Sequence, residues 1–323
     1  CWQRKGRKKR VKEAVKIFKH GRSAIQKKRD LQYFILLIPG FIKIFIFSLL
    51  PIVGLIIAFE RYIPRLGLFG SPLVGLDNLE LLFTSSVLKQ LLINTTVLTL
   101  LQVFFGLITS VTLSLILFEI RDRNKIKILQ IFLLFPYFIS WPLVGMMVQS
   151  LLSSDSGMIT HLILNITGEK IEFYAEPKYW RFILTFASCW KSIGINGILY
   201  YAVLIGVDKG LYEAASLDGA NTFRKMWHVS LPALSMMLCL GLITSMSGIL
   251  RYDFSLVYYL TNNRSELLPT TEVIEVYMFN TMRTTPNFPI GSAVGLFQSV
   301  FGFILSIIAN LIIKKINGES ALF

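Results

Sequence analysis

The chain has 323 residues, of which 54% are hydrophobic, and a mean hydropathy of +0.60. A soluble domain is also about half apolar, but it does not gather those residues into runs of twenty or more. The long runs here exclude a soluble globular protein. The net charge of +14 is concentrated at the start, where residues 1–30 carry thirteen Lys or Arg against only Glu13 and Asp30.

Crossing a bilayer core as a helix takes roughly 20 apolar residues. Six segments meet that length, at 31–59, 91–118, 126–151, 180–204, 231–252 and 292–313. The first follows thirty polar residues and is too long for a cleavable signal peptide. Internal Pro39, Pro51, Pro136 and Pro142 predict kinks, which membrane helices tolerate better than soluble ones. The connection at 119–127 is net positive, and Lys314 and Lys315 close the last span, whereas the loops at 60–90, 152–179 and 253–291 are neutral or mildly acidic. The positive-inside bias then predicts that both termini and the 205–230 loop are cytoplasmic. The expected organisation is a basic cytoplasmic segment (1–30), a six-helix all-α membrane domain (31–315) and a cytoplasmic tail (316–323).

The basic run has two readings, nucleic acid or anionic lipid headgroups. Its place beside the first span favours membrane lipid, and no nucleic-acid partner is expected. Val11, Ala14, Val15 and Phe18 give 11–28 a helical periodicity suited to a membrane surface.

Much chemistry is absent. The sequence lacks a G-x-x-x-x-G-K-[ST] phosphate loop, so this chain is not expected to hydrolyse ATP in that way. His20, His161 and His228 form no metal-ligand pair at helical spacing, and Cys189 and Cys239 fall inside spans, where a thiol behaves as a small hydrophobe. No metal site, catalytic set or cofactor of this chain is expected. The spans also lack interior Asp or Glu, which ion-coupled transporters usually need. What remains inside is uncharged polarity with a few cations. The fourth span carries Trp190, Lys191, Ser192, Asn196 and Tyr200; the fifth carries Thr244, Ser245 and Ser247, with Arg251 and Tyr252 at its outer end. Aromatic rings beside hydroxyls and amides suit a sugar, although such groups also glue spans together.

Between the fourth and fifth spans lies Glu213-Ala214-Ala215-Ser216-Leu217-Asp218-Gly219-Ala220, with Leu231-Pro232 following. Leu211 to Asp218 predict a short helix that Gly219 terminates. Asn221 or Thr222 caps a second short helix carrying Phe223, Met226 and Trp227, with Phe223 and Trp227 on one face. Leu231-Pro232 is expected to end that helix and open the fifth span. A helix–glycine–helix with an exposed apolar face reads equally as a knob for a groove on another protein or as a simple cytoplasmic hairpin that packs on its own helices.

The E-A-A-three residues-G pattern with L-P eighteen and nineteen residues after the Glu resembles the EAA loop of permease subunits of bacterial ABC importers. The E-A-A-S-L-D-G-A-N-T-F and V-S-L-P stretches resemble the carbohydrate branch, the maltose-type permeases. Trp190-Lys191, Thr270-Thr271-Glu272-Val273-Ile274 and Ala293 to Val300 are similar to a subgroup importing oligosaccharides or polysaccharide fragments. The likeness covers roughly residues 30–315.

The resemblance implies a pair of permease chains, the partner a different chain, around a central path. It implies two cytoplasmic ATPase subunits, which bind ATP and Mg, and an extracytoplasmic sugar-binding protein. Glu213 and Gly219 would carry coupling, together with Ala214, Ala215, Asp218, Phe223, Trp227, Leu231 and Pro232. Its sugar pocket would fall on Lys191, Ser192 and Ile195 and on Ser245, Ile249 and Tyr252; Lys191 and Arg251 would either favour an acidic sugar or serve as structural cations bound to backbone carbonyls. The rival readings are a half-sized secondary transporter or channel acting as a homodimer, and a membrane scaffold recruiting a cytoplasmic partner.

Overall fold

The computed structural model describes residues 24–284 and 286–316. Most of the basic N-terminal segment (1–23) and residues 317–323 of the tail lie outside them. Packing divides the chain into two units, Cys1–Ile56 and Ile57–Phe323, and each is taken by itself.

The first unit holds α1 (Ala24–Ile44), a π-helical turn at Phe45–Leu49 and α2 (Leu50–Val53). Pro39 lies inside α1 and Pro51 in the first turn of α2, and the run Arg29–Phe59 is nevertheless long and apolar enough to cross a bilayer.

The regular structure of the second unit is helical among the described residues, apart from one bridge between Glu60 and Leu73. In order come α3 (Asp77–Thr84), α4 (Ser86–Glu119), α5 (Arg123–Phe138), α6 (Trp141–Leu152), α7 (Met158–Thr167) and α8 (Trp180–Ile205). They are followed by α9 (Lys209–Leu217), α10 (Thr222–Lys225), α11 (Leu231–Ser247), α12 (Phe254–Thr261), α13 (Leu268–Thr271), α14 (Ile274–Thr284) and α15 (Phe288–Ile316). Helix α8 is central, packing on α4 and α5; α15 packs on α11 and α3, and α12 on α6. Trp180 and Leu184 at the start of α8 are fully buried against Leu98 of α4, Val144 of α6 and Leu256 and Leu260 of α12. The Trp180 indole donates to the Phe173 carbonyl (2.6 Å), and the Tyr174 hydroxyl to the Leu260 carbonyl (3.1 Å), so the buried aromatic rings keep their polar tips paired.

Five helices are long and apolar enough to cross a membrane, and the count reaches six when one bent pair is taken as a single span. That pair corrects the expected continuous span at 126–151: α5 and α6 meet at 93°. Ile139 and Ser140 are extended between them. Pro136 removes a donor near the end of α5, and Pro142 sits in the first turn of α6, where its fixed φ starts a helix rather than continuing one.

The fifth span also differs from expectation. It does not begin at Leu231: helix runs from Thr222 to Ser247 through a π-helical turn at Met226–Ser230. The Leu231 N–H reaches back five residues to the Met226 carbonyl, a register that carries the chain past Pro232 and its missing donor. At the other end Gly248 caps the helix, leaving Arg251 and Tyr252 beyond it.

Candidate functional site

The polar hairpin between α8 and α11 is built as a chain of caps. Asp208 accepts from the Gly210 N–H (3.0 Å) and starts α9. At its end Gly219 adopts φ +75°, the Gly219 N–H donates to the Ser216 carbonyl (3.1 Å), and the Ala220 N–H to the Ala215 carbonyl (2.9 Å). These two bonds form a Schellman closure, which a left-handed residue makes possible. Asn221 then caps α10, accepting from the Arg224 N–H at 2.9 Å. The hairpin is fastened below by the Tyr212 hydroxyl, 3.0 Å from that of buried Ser230, and by the Tyr212 ring against Phe118. Its outer surface is open. Glu213, Ala214, Asp218, Gly219 and Pro232 are exposed, while Ala215 and Leu231 are half-buried. Leu217 is 90% exposed, and Phe223 (71%) and Trp227 (61%) stack with ring centroids 6.4 Å apart. Three large apolar side chains thus stand exposed around the Gly219 turn.

A second feature lies within the helices. A cavity of about 240 Å³ opens between α4, α8 and α11, lined by Gln102, Gly106, Ser192, Asn196, Tyr200 and Ser245, with Val103, Leu107 and Gly241. Ser192 donates to the Ser188 carbonyl (2.8 Å) and Ser245 to the Gly241 carbonyl (2.8 Å), which leaves both hydroxyl oxygens free to accept. Neither the Gln102 nor the Asn196 amide has a hydrogen-bond partner among the described residues. Gln102 escaped the sequence reading. Its signal was a lone amide in an apolar run, one helical turn before Gly106 and so on the same face.

The remaining candidates are elsewhere. Trp190 packs on the main apolar cluster. Lys191 is held at the α5–α6 bend, where its ammonium donates to the Ile139 carbonyl and lies 4.3 Å from the Trp141 ring centre. The Trp141 indole donates in turn to Asp253 (2.7 Å), whose other oxygen caps α12. A half-buried carbonyl freed from the helix by the bend is thereby satisfied. Arg251 donates to Ser299 (3.1 Å). Tyr252 is in the core, only 6% exposed, and its hydroxyl has no partner among the described residues. Ile249 is likewise buried, in the cluster formed with Leu250, Ile274 and Val294, and Ile195, though on α8, is absent from the cavity lining.

The 270–275 stretch is pinned from three sides. Asn94 donates to the Pro269 and Glu272 carbonyls (both 3.2 Å), the Ile274 N–H donates to Thr95 (3.2 Å), and Thr270 to the Pro177 carbonyl (2.8 Å). Arg181 reaches Asn94 at 2.9 Å. Next to it, burial raises the Glu275 carboxyl above the ordinary carboxylate range, outweighing the pull of Gln298 (3.1 Å) and Arg251 in the other direction. The folded state therefore binds this proton more tightly than the unfolded chain. Stability should fall as pH rises from the ordinary carboxylate value through the raised one. In thermal unfolding in detergent, Glu275→Gln is expected to flatten that decline, since an amide oxygen still accepts from Gln298; an unchanged pH profile would sink the assignment.

Long apolar helices around a polar internal cavity, with a rigid knob at one end, define a multi-pass membrane permease. The chain belongs to the family of inner membrane components of binding-protein-dependent transport systems, whose profile matches residues 127–318. It is 37% identical to Protein LplB of Bacillus subtilis (strain 168) over 90% of this chain and 91% of that one. It is 34% identical, over 88% of each chain, to the polygalacturonan/rhamnogalacturonan transport system permease protein YteP of the same organism. Among solved structures it is similar to a bacterial ABC transporter involved in the import of the acidic polysaccharide alginate. That match has a TM-score of 0.81 at 26% identity, over 90% of this chain and 97% of the other. The same likeness holds for the alginate transporter in complex with its alginate pentasaccharide-bound periplasmic protein. The chain is thus a transport permease and not an enzyme, and its all-α membrane fold is the one expected from sequence.

Proposed function

We propose that this chain forms half of the translocation path of an ATP-driven importer for an oligosaccharide. In this reading Glu213–Pro232 is the seat of a cytoplasmic ATPase, both termini are cytoplasmic, and a second, different permease chain completes the path. Two ATPase subunits bind ATP and Mg, and an extracytoplasmic binding protein delivers the sugar. The observation that carries the reading is the cavity between α4, α8 and α11, with its two unpartnered amides and two accepting hydroxyls. A sugar ringed by hydroxyls suits such a site, because its half-buried amides and hydroxyls offer both donors and acceptors. The relatives named for polygalacturonan, rhamnogalacturonan and alginate transport agree with that class of cargo. Neither Lys191 nor Arg251 lines the cavity, so in this reading recognition there falls to the amides and hydroxyls.

Gly106 supplies the test. A Cβ added there meets nothing within 4 Å, so Gly106→Leu should fold and project into the cavity. Uptake of pectin- or alginate-derived oligosaccharides is expected to drop at least tenfold, while an ATPase and a second permease still co-purify with the chain. Undiminished uptake would remove the cavity from the path. A homodimer without ATPase would overturn the importer reading itself.

A further inference from the structure

We propose that the cleft at the hairpin end of the helices, between the start of α5 and the α8–α9 connection, seats the phosphate of an anionic phospholipid. The cleft encloses about 500 Å³. Four cations line it: Arg121, Arg123 and Lys127 from one side and Lys209 from the other. No acidic side chain lines it, and among the described residues none of the four has a salt-bridge partner within 4.0 Å. Asp122 and Asp208, their chain neighbours, are turned away to cap α5 and α9. Four like charges around one depression repel one another, and an anion between them removes that cost.

The rest of the geometry selects a lipid over a soluble anion. The cleft is floored by apolar side chains, with Leu204 fully buried and Ile126 nearly so. From Lys127 onward α5 also presents Ile128, Ile131, Phe132 and Phe135, all more than half exposed, on the helix face turned away from Arg123, Lys127 and Gln130. A phosphate held by the cations would sit over the apolar floor of Phe118, Ile126 and Leu204, with its acyl chains entering the lipid around α5. Basic pockets between spans are a known chemistry for anionic headgroups. The first free N–H groups of α5, those of Asn124 and Lys125, are already taken by Asp122 at 2.9 and 3.3 Å. Recognition thus falls to the side chains.

The test uses the full chain, purified in neutral detergent and stripped of lipid. Phosphatidylglycerol is added and binding is read both by native mass spectrometry and by the thermal midpoint, against phosphatidylcholine and inorganic phosphate. Phosphatidylglycerol alone is expected to bind and to raise the midpoint. The Arg121→Gln/Arg123→Gln/Lys127→Gln variant should bind it more weakly by on the order of a hundredfold, at roughly fivefold per cation removed. Lys125→Gln/Lys315→Gln, which spares the cleft, should bind like the wild type. Equal binding of phosphatidylcholine, an equal effect of free phosphate, or full binding by the triple variant would each overturn the proposal. So would a triple variant that keeps its lipid but loses its ATPase, since the cleft would then belong to a protein partner. Should the triple variant not fold, the wild type's discrimination between the two lipids still decides the matter.

Discussion

Gly219→Pro is expected to abolish substrate-stimulated ATP hydrolysis by the assembled importer while leaving membrane insertion intact. The reason is local. Gly219 sits at φ +75°, and its N–H closes α9 onto the Ser216 carbonyl. Proline cannot reach positive φ and has no N–H, so the closure is lost at a cost of about 3 kcal/mol. The angle between α9 and α10, and with it the placement of Leu217, Phe223 and Trp227, then loses its closure and rests on the Asn221 cap and the Tyr212–Ser230 contact. The site is exposed, so the spans themselves should pack as before. Glu213→Ala separates geometry from contact. Alanine is at least as good a helix former as glutamate, so any loss of ATPase binding in that variant reflects a contact to the partner and not a disturbed helix. Hydrolysis and uptake at wild-type levels in both variants would refute the docking assignment.

The largest effect on folding is expected from Gly194→Val. A side chain at Gly194 of α8 would fall on the backbone of α5, at the Leu133 carbonyl and 3.1 Å from the Leu134 nitrogen. Backbone atoms cannot move aside as a side-chain tip can, so the two helices must separate. Overpacking of this kind costs about 3 kcal/mol or more. It also pulls Lys191, three residues earlier on α8, away from the Ile139 carbonyl. Yield and thermal midpoint in detergent should both fall sharply. Gly106→Ala, which meets open space, should leave them unchanged or slightly improved. Wild-type stability of Gly194→Val would mean that α5 and α8 do not approach this closely.

What the sequence disclosed, and what it hid, follows from the range of the interactions. Spans and caps are local. Hydropathy runs placed the long helices, and the Gly219 and Asn221 signals placed the hairpin's turn and second cap. Helix α9, however, starts at Lys209, two residues before the expected Leu211, on the unread Asp208 cap. The π-helical turn at Met226–Ser230 was hidden because Leu231-Pro232 reads equally well as a boundary and as a bypassed proline. The α5–α6 bend was hidden for a different reason. Pro136 and Pro142 announce a kink, but its polar groups are satisfied by Lys191, 52 residues beyond Ile139, and by Asp253, 112 residues beyond Trp141. The cavity mixed both kinds. Ser192, Asn196, Tyr200 and Ser245 stand out as polar residues in apolar spans, and the structure brings them together. Lys191, Arg251 and Tyr252 stand out by the same rule, yet they serve the bend, the Ser299 contact and the core.

The bend also sets a length. Helix α5 has sixteen residues, which at 1.5 Å each amount to about 24 Å, whereas a typical hydrocarbon core is about 30 Å thick. Helix α4 beside α8, with thirty-four residues, has length to spare and can tilt. Turned through 93°, α6 adds little to the crossing if α5 stands upright. A span this short is met by thinned lipid, snorkelling side chains or neighbouring helices, at a fraction of a kcal/mol for each ångström of mismatch. Acyl-chain length thereby becomes a variable of the protein's own conformational balance: short-chain bilayers relieve the mismatch at the bend, and long-chain bilayers load it.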